Sequence, residues 1–478
     1  MTQTSRNSGE FVDITYTVDV VVNKAGYGKF QIRLLILAGL GWIADSCEIF
    51  VLSIIGQLLA CEWTIYRGQL AIITNAVFAG FAIGSVGLGI IADKFGRKKA
   101  LGVSALMLFI VGIGNAFVPS FFWMVVCRSI IGIALGGVNQ GLTLCTEYCP
   151  INKRGKAGFY LCYFWSLGSC IVILLSWVVM EYLNSWRFLI GFISLPCLLV
   201  IISYKWYPES ARYYLVSGQY ERAVETLQKL SNMNGTDLPP GRLFHVKAQE
   251  KRGDLKNLLS KEYRITSLLL WYIWFASAFS AYGVFFVSPV IIQNGFLGTS
   301  NSSLENSFED SSQVIPCLKF TSQNFIDLLW TSAAEFPGLL VFTFLAEKCR
   351  RKVLVSGSCI ISSILLLLLL LRTQKIVILL ILFASRGIII SVSQLVYIVT
   401  LEAYPTTFRS IGIGCGNFFS KVGGITIPYV AQVLVIENPT AAMGLISGII
   451  FLAGIAAVFL PFETKGARMK EGFLKNEE

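Results

Sequence analysis

The sequence has little charge and almost no histidine. Charged residues make up 14% of its 478 residues, and its one histidine is His245. No GxxxxGK[ST] string, no CxxC pair and no cluster with metal-ligand spacing occurs in it. These absences argue against an ATP-driven pump, a zinc site and a Ser/His/Asp hydrolase, because each needs residues that the chain does not supply. We therefore expect neither enzymatic activity nor a cofactor.

Long apolar runs are abundant instead. Hydrophobic residues make up 55% of the chain and its mean hydropathy is +0.67. Its charged fraction of 14% is well below the value of about 25% for soluble proteins. Runs of about 20 apolar residues can cross a bilayer as helices, and the polar N-terminal segment contains no secretory signal. We predict an all-α polytopic membrane protein with twelve spans: 34–57, 70–92, 100–118, 121–144, 157–179, 187–206, 267–290, 324–346, 354–371, 376–399, 410–433 and 441–460.

Basic residues divide the loops into two sets. Lysine and arginine concentrate at 93–99, 152–156 and 347–352, in a long segment between two groups of six spans, and in the C-terminal tail. The positive-inside rule places these regions and both termini in the cytoplasm, so the net charge of +11 requires no nucleic-acid partner. The predicted order is an N-terminal segment (1–33), a six-helix bundle (34–206), a linker (207–266), a second six-helix bundle (267–460) and a tail (461–478).

Two longer loops carry features of their own. In the linker, the pattern over 219–235 predicts a short amphipathic helix that ends at its final glycine. On the opposite side, the loop 291–323 contains Asn301 in an Asn-x-Ser sequon, which is a glycosylation acceptor when it faces the exterior. Cys61 and Cys317, both in predicted exterior loops, are candidates for a disulfide, although their spacing alone does not establish the pair.

The two bundles are related in sequence. Their matching residues are Glu147 and Glu402, Arg154 and Arg409, Asp93 and Glu347, Arg97 and Arg351, and Arg128 and Arg386, at offsets of 254 to 258 residues. So many matches at nearly one offset indicate duplication. We predict two six-helix pseudo-repeats, as in transporters built from parallel repeats.

A few charges lie inside the predicted spans. Asp45 and Glu48 are three residues apart and therefore share one helix face. Such residues almost always point into a bundle or a wet cavity, and the interiors of spans 3, 6, 9 and 12 have none. We expect a polar centre inside a lipid-facing shell. The other intramembrane charges are Arg128, Glu335, Arg386 and Lys421.

Four roles remain open for these charges. They could pair with one another to fix helix register, bind protons, hold a cationic substrate, or orient Arg128 toward an anionic one. Neighbouring aromatic rings attract organic cations, and polar side chains can line a cavity, although packing explains either equally well. The further candidate lining residues are Asn139, Gln140, Trp165, Trp274, Tyr282 and Gln394.

The segment GIIADKFGRKKAL (89–101) resembles the signature of the major facilitator superfamily between spans 2 and 3. This resemblance implies a charge latch at the cytoplasmic end that is made and broken as two halves rock. The second copy is degraded, with Glu347 in place of aspartate and Arg350 in place of glycine. The implied gating residues are Gly89, Asp93, Gly96, Arg97, Glu147, Arg154, Glu347, Arg351, Glu402 and Arg409.

Further strings narrow the resemblance. RSIIGIALGG (128–137) resembles the fourth-span motif of that superfamily, and PESARYYLVSGQYERA (208–223) and PFETKG (461–466) resemble signatures of its organic-ion and sugar porters. The strings GYGKFQ (26–31), GLGWIADSCEIFVLS (39–53), LLLWYIWFASAFSAYG (268–283), DLLWTSAAEFPG (327–338) and LEAYPTTFRSIGIG (401–414) together resemble the synaptic-vesicle two-related branch, which is kin to organic-ion and niacin or aromatic-acid transporters. This resemblance covers about residues 15–466. The resemblance implies a twelve-helix facilitator in the plasma membrane or a vesicle membrane. It implies no particular substrate.

The function expected from these features is secondary active transport by alternating access. The predicted substrate is a small organic ion, with an aromatic ion as one option, moved with protons or by facilitated diffusion. The predicted partners are therefore this ion, protons and the bilayer, with the chain a monomer. The alternative is a receptor or scaffold of the plasma or vesicle membrane that keeps the fold without transport. A channel is disfavoured by the duplicated halves.

Overall fold

Long helices make up most of the described chain. The computed structural model describes residues 15–150, 153–244, 255–294, 317, 320–371, 373–405, 409–461 and 463. Twelve helical segments in these residues are long and apolar enough to cross a membrane, which confirms the predicted fold class. We number them spans 1 to 12: Lys29–Gly56, Arg67–Phe95, Arg97–Asn115, Phe121–Glu147, Ala157–Tyr182, Trp186–Trp206, Arg264–Asn294, Ser322–Lys348, Arg351–Leu368, Lys375–Ala403, Ile411–Glu437 and Pro439–Val458.

The described ranges contain twenty α-helices, two short strands and two irregular helical turns. In chain order these elements are β1 (Thr15–Tyr16), α1 (Val18–Ala25), α2 (Lys29–Ala60), α3 (Arg67–Phe95), α4 (Arg97–Asn115), α5 (Phe121–Leu135), α6 (Gln140–Glu147), α7 (Arg154–Tyr182), α8 (Trp186–Ile193), α9 (Leu195–Ser203), a 3₁₀ turn (Tyr204–Trp206), α10 (Ala211–Val216), α11 (Tyr220–Asn234), β2 (Arg242–Leu243), α12 (Leu255–Leu258), α13 (Arg264–Asn294), α14 (Ser322–Ala333), α15 (Glu335–Lys348), α16 (Arg351–Leu368), α17 (Lys375–Ala403), α18 (Arg409–Tyr429), a π-helical turn (Val430–Leu434), α19 (Val435–Glu437) and α20 (Pro439–Val458).

Four spans are interrupted where the hydropathy pattern predicts continuous helices. Span 4 breaks at residues 136–139, span 6 at Ser194, span 8 at Ala334 and span 11 at the π-helical turn. Glycines lie in the first break, and a proline lies within three residues of each of the others. Both residue types weaken the helical hydrogen-bond ladder and allow kinks. These breaks place irregular backbone near the middle of spans 4 and 8.

The two halves of the chain pack along a shared interface. We call spans 1–6 the first half and spans 7–12 the second half. Spans 1 and 7 are the most enclosed, because 78% and 83% of the residues in their apolar stretches are buried. Span 2 packs on span 11, and span 5 packs on span 8. Spans 1 and 7 therefore form the centre of the molecule.

A small helical layer covers one end of the bundle. We call this end the basic end, because the lysine- and arginine-rich loops lie there. Strand β1 pairs in parallel with β2, and α1 packs on α11, which ends at Gly235. The predicted amphipathic linker helix is therefore present. The described part of the predicted N-terminal segment contains β1 and α1, and it packs against the linker through a second apolar cluster.

Candidate functional site

Two acids of span 1 lie at the centre of the first half. Asp45 is 6% exposed and Glu48 is 2% exposed. Glu48 accepts a hydrogen bond from Arg128 of span 4, with 3.0 Å between Oε2 and Nη1, and Arg128 is fully buried. An ionised carboxylate in this apolar surrounding requires such a partner. Glu48 and Arg128 therefore neutralise each other within one half.

Asp45 has a different environment. Its Oδ1 atom is buried and has no hydrogen-bond partner among the described residues. The opposing charge in its electrostatic range is Lys421 of span 11, which belongs to the second half. The Lys421 ammonium lies 3.2 Å from the ring centroid of Phe81. The interaction of Asp45 with Lys421 thus crosses the interface between the halves.

A second charge group lies across the same interface. Glu335, at the break in span 8, accepts from Arg386 of span 10 at 2.8 Å and from Ser166 of span 5 at 2.8 Å. The Arg386 guanidinium lies 5.1 Å from the ring centroids of both Phe50 and Phe285. Glu335 therefore holds an arginine of its own half and a serine of the other half.

These six charged side chains form a balanced and closed centre. Three are acids and three are bases, and each is less than 9% exposed. The fold therefore brings together all six of the intramembrane charges identified from the sequence. In this conformation the six charged side chains are therefore largely shielded from solvent.

Some of the predicted lining residues lie at this centre. The ring centroid of Trp165 is 6.4 Å from those of Trp42 and Phe50, and the indole nitrogens of both tryptophans are buried without a hydrogen-bond partner in the described chain. Tyr282 packs against Phe78 at 4.7 Å and lies in electrostatic range of Asp45. These rings form an aromatic wall beside Asp45.

Other predicted lining residues lie elsewhere. Trp274 donates its indole N–H to Thr400 at 2.9 Å, inside the second half. Gln394 is hydrogen-bonded to Cys162 across the interface. Asn139 and Gln140 are half-buried at the break in span 4. Among the described residues, none of these four side chains makes a hydrogen bond or ion pair with the six charged side chains, so the aromatic wall carries the stronger case for substrate contact.

The end opposite the basic end is closed by contacts between the halves. Thr74 and Gln432 are hydrogen-bonded, and Ser322 donates to Glu181 at 3.1 Å. Phe78 also packs on Phe286, with 6.3 Å between ring centroids. In the same region the structure joins Cys61 and Cys317 in a disulfide, with 4.6 Å between their Cα atoms. The candidate pair of the sequence is thus within bonding distance.

The basic end contains the predicted latch residues in two equivalent clusters. Arg97 lies 3.0 Å from Asp93 and 3.5 Å from Glu147. In the second half, Arg351 makes two 3.2 Å contacts with Glu402. Each arginine also donates to a carbonyl five residues earlier, at Ala92 and Ala346 respectively. The duplication is therefore visible in the contacts themselves.

Two carboxylates of these clusters were missed by sequence reasoning. Glu209 accepts from the backbone N–H of Lys98, and Glu463 accepts from that of Arg351. Both contacts lie at the start of a helix, where acids satisfy free N–H groups and favour the helix dipole. The signal was available, because 209 and 463 differ by the same repeat offset of 254. Gly96 has φ +105°, and a Cβ there would lie 2.2 Å from the Glu209 carboxylate.

The remaining predicted gating and glycosylation residues have different surroundings. Arg409 donates to the Tyr404 carbonyl at 3.1 Å, and Glu347 lies at the end of α15 and has partners of its own. Gly89 has open space where a Cβ would lie. The side chain of Arg154 and the sequon at Asn301 lie outside the described residues.

Comparison with known proteins places this architecture in a family. Residues 50–472 match the family described as sugar (and other) transporter. The chain belongs to this family. Its members are transporters of the major facilitator superfamily rather than enzymes, so the chain is a multi-pass membrane transporter with a small-molecule substrate.

Several members of the family are similar over nearly the whole chain. The synaptic vesicle 2-related protein of Bos taurus is 36% identical over 459 residues, which cover 96% of this chain and 83% of that protein. Organic cation/carnitine transporter 7 of Arabidopsis thaliana is 31% identical over 500 residues, with 97% of each chain covered. A partially occluded inward-open structure of the xylose transporter XylE from E. coli has a TM-score of 0.67 at 18% identity, covering 92% of this chain and 100% of XylE. The last likeness confirms the fold.

Proposed function

We propose that this chain is a secondary active transporter of small organic cations, with Asp45 as the residue that binds the cargo. The observation that carries the proposal is the Asp45 carboxylate, whose buried Oδ1 atom has no hydrogen-bond partner among the described residues and which interacts electrostatically with Lys421 of the second half. Glu48 and Glu335 are each held by an arginine within 3.0 Å. Asp45 is therefore the acid of the centre that no arginine holds in an ion pair among the described residues.

The surroundings of Asp45 support a cation rather than an anion. The centre holds three acids and three bases, so an entering ion must replace an internal partner. A cation can take the place of Lys421 as the partner of Asp45, and the nearby rings of Trp42 and Trp165 would attract it. The Arabidopsis relative is named an organic cation/carnitine transporter, which supports the same substrate class.

The same geometry favours proton exchange. A proton and an organic cation would neutralise the same Asp45 carboxylate, so the two would compete for one site. Alternating access then requires one to leave before the other is carried back. We also infer that the basic end faces the cytoplasm, because its loops carry the lysine and arginine excess, and that the membrane is that of a vesicle or the cell surface.

Uptake into proteoliposomes tests this proposal. With an acidic interior, the wild-type protein should accumulate radiolabelled tetraethylammonium, and the Asp45→Asn variant should lose on the order of tenfold or more of this uptake, because a charge-assisted contact is removed. The stimulation by the pH gradient should disappear with it. Initial rates at several gradients measure both effects.

Asp327→Asn provides the matched control. Asp327 is also buried, at 5% exposure, but it lies 2.5 Å from Lys375 near the opposite end. This variant should keep the uptake and its pH dependence. Equal transport by Asp45→Asn and wild type would overturn the proposal. Ligand-specific thermal stabilisation without uptake of any organic ion would instead support a receptor.

A further inference from the structure

A large cavity lies at the basic end, outside the charged centre of the bundle. Its volume is about 740 Å³, and it lies between the starts of spans 1 and 3, the end of span 6 and helix α11. This volume is in the range of small-molecule sites, about 300–1,000 Å³. The charged side chains that line it are Arg33, Lys98, Lys205, Glu209, Arg222, Glu225 and Lys229.

The carboxylates of this cavity are already engaged. Glu225 lies 2.6 Å from Lys229, and the hydrogen bond from Lys229 lowers the pKa of the Glu225 carboxyl, so this pair is internally neutral. Glu209 accepts from the backbone N–H groups of Lys98 and Ser210. Five cations against two acids leave an excess of three positive charges. The cavity therefore attracts an anion.

The cations come from separate elements and converge. Arg33 lies in span 1, Lys98 at the start of span 3, Lys205 at the end of span 6, and Arg222 in α11. The Lys98 ammonium is held 5.0 Å above the Tyr204 ring. Several donors from different directions suit a phosphate, which has multiple acceptor oxygens.

The position of the cavity relates it to the membrane surface. Trp206 and Lys205, both in its lining, end span 6, and Trp206 is 49% exposed. Tryptophan at the end of a span lies at headgroup level, and lysine there extends its ammonium to the interface. Ile36, one turn into span 1 from Arg33, is 51% exposed and faces outward. The cations thus lie where a span leaves the hydrocarbon.

We propose that this cavity binds the phosphorylated headgroup of an anionic membrane lipid. Arg33, Lys98, Lys205 and Arg222 surround the headgroup phosphates, and Trp206 packs at the glycerol level. Basic pockets beside spanning helices are the known setting for such headgroups. A soluble inositol phosphate offers the same chemistry, but a cavity at the membrane surface favours the lipid. The site is separate from Asp45 and does not depend on the proposed cargo.

Binding in nanodiscs tests the proposal with the full chain. The protein is placed in phosphatidylcholine discs with and without a fluorescent phosphatidylinositol bisphosphate, and lipid retained by the protein is measured. The double variant Lys205→Gln/Arg222→Gln should weaken binding about tenfold or more, because each cation near the membrane surface strengthens the attraction to an anionic headgroup several-fold. Soluble inositol trisphosphate should compete weakly.

Lys94→Gln/Lys99→Gln is the matched control. It removes two exposed cations at the same end that do not line the cavity, so binding should change by less than about twofold. Equal losses in the two double variants would show attraction by general surface charge and overturn the proposal. Tighter binding of free inositol trisphosphate than of the lipid would overturn the lipid as ligand, and so would absence of binding in wild type.

Discussion

The Arg128→Met variant is expected to lose most of its folded protein. Arg128 is fully buried, and its removal leaves the Glu48 carboxylate, 2% exposed, without its cation. Breaking one side of a buried pair typically costs about 3–5 kcal/mol, and total stabilities are only about 5–15 kcal/mol. Thermal unfolding in detergent, followed by size-exclusion chromatography, measures the loss.

The double variant Arg128→Met/Glu48→Gln separates charge from shape. Removing both charges takes away the uncompensated carboxylate, so the double variant should recover most of the melting temperature that the single variant loses. If the single and double variants unfold at the same lowered temperature, the loss does not come from the uncompensated Glu48 carboxylate. Recovery of folding without recovery of uptake would show that the pair also serves transport.

Gly84→Ala is expected to have the second large effect, although it adds one methyl group. A Cβ at Gly84 would lie 2.0 Å from the Ile133 carbonyl oxygen, so spans 2 and 4 must move apart. Gly136 meets the backbone of Gly84 from the other side. Small residues permit this close approach in membranes, and overpacking typically costs about 1–3 kcal/mol. The melting temperature of the purified variant gives the cost.

Gly87→Ala is the control on the same helix. Nothing lies within 4 Å of a Cβ added at Gly87, and alanine favours a helix by about 1 kcal/mol over glycine. This variant should be as stable as the wild type or slightly more so. If the Gly84→Ala and Gly87→Ala variants have the same melting temperature, the close contact between spans 2 and 4 is contradicted.

Hydropathy predicted the twelve spans because crossing a bilayer requires a long apolar helix whatever its neighbours are. It did not predict the break before Gln140 or the one at Ala334, because a broken helix keeps its apolar composition. The duplication likewise located the latch clusters, since equal offsets persist in sequence, whereas the roles of Glu209 and Glu463 became clear only from their hydrogen bonds.

The centre was predicted in membership but not in pairing. Six charges inside apolar spans had to face the interior, because a charged side chain exposed to lipid costs a large free energy. That cost is enough to predict that they converge. Which acid meets which base depends on how spans 4, 10 and 11 pack around span 1, and no local pattern encodes that. Trp274 shows the same limit, because the hydrogen bond from its N–H to Thr400 depends on how spans 7 and 10 pack.

The bond between Cys61 and Cys317 constrains how the two halves can open. Cys61 follows the last residue of α2, and only residues 318–321 separate Cys317 from α14. The five Cα steps from Cys317 to Ser322, the first residue of span 8, reach about 17 Å, and the disulfide adds 4.6 Å between its Cα atoms. The ends of α2 and span 8 therefore remain tethered within roughly 22 Å. Opening toward this side must then be a rotation that pivots near the tether and is widest at the edge of the bundle farthest from it.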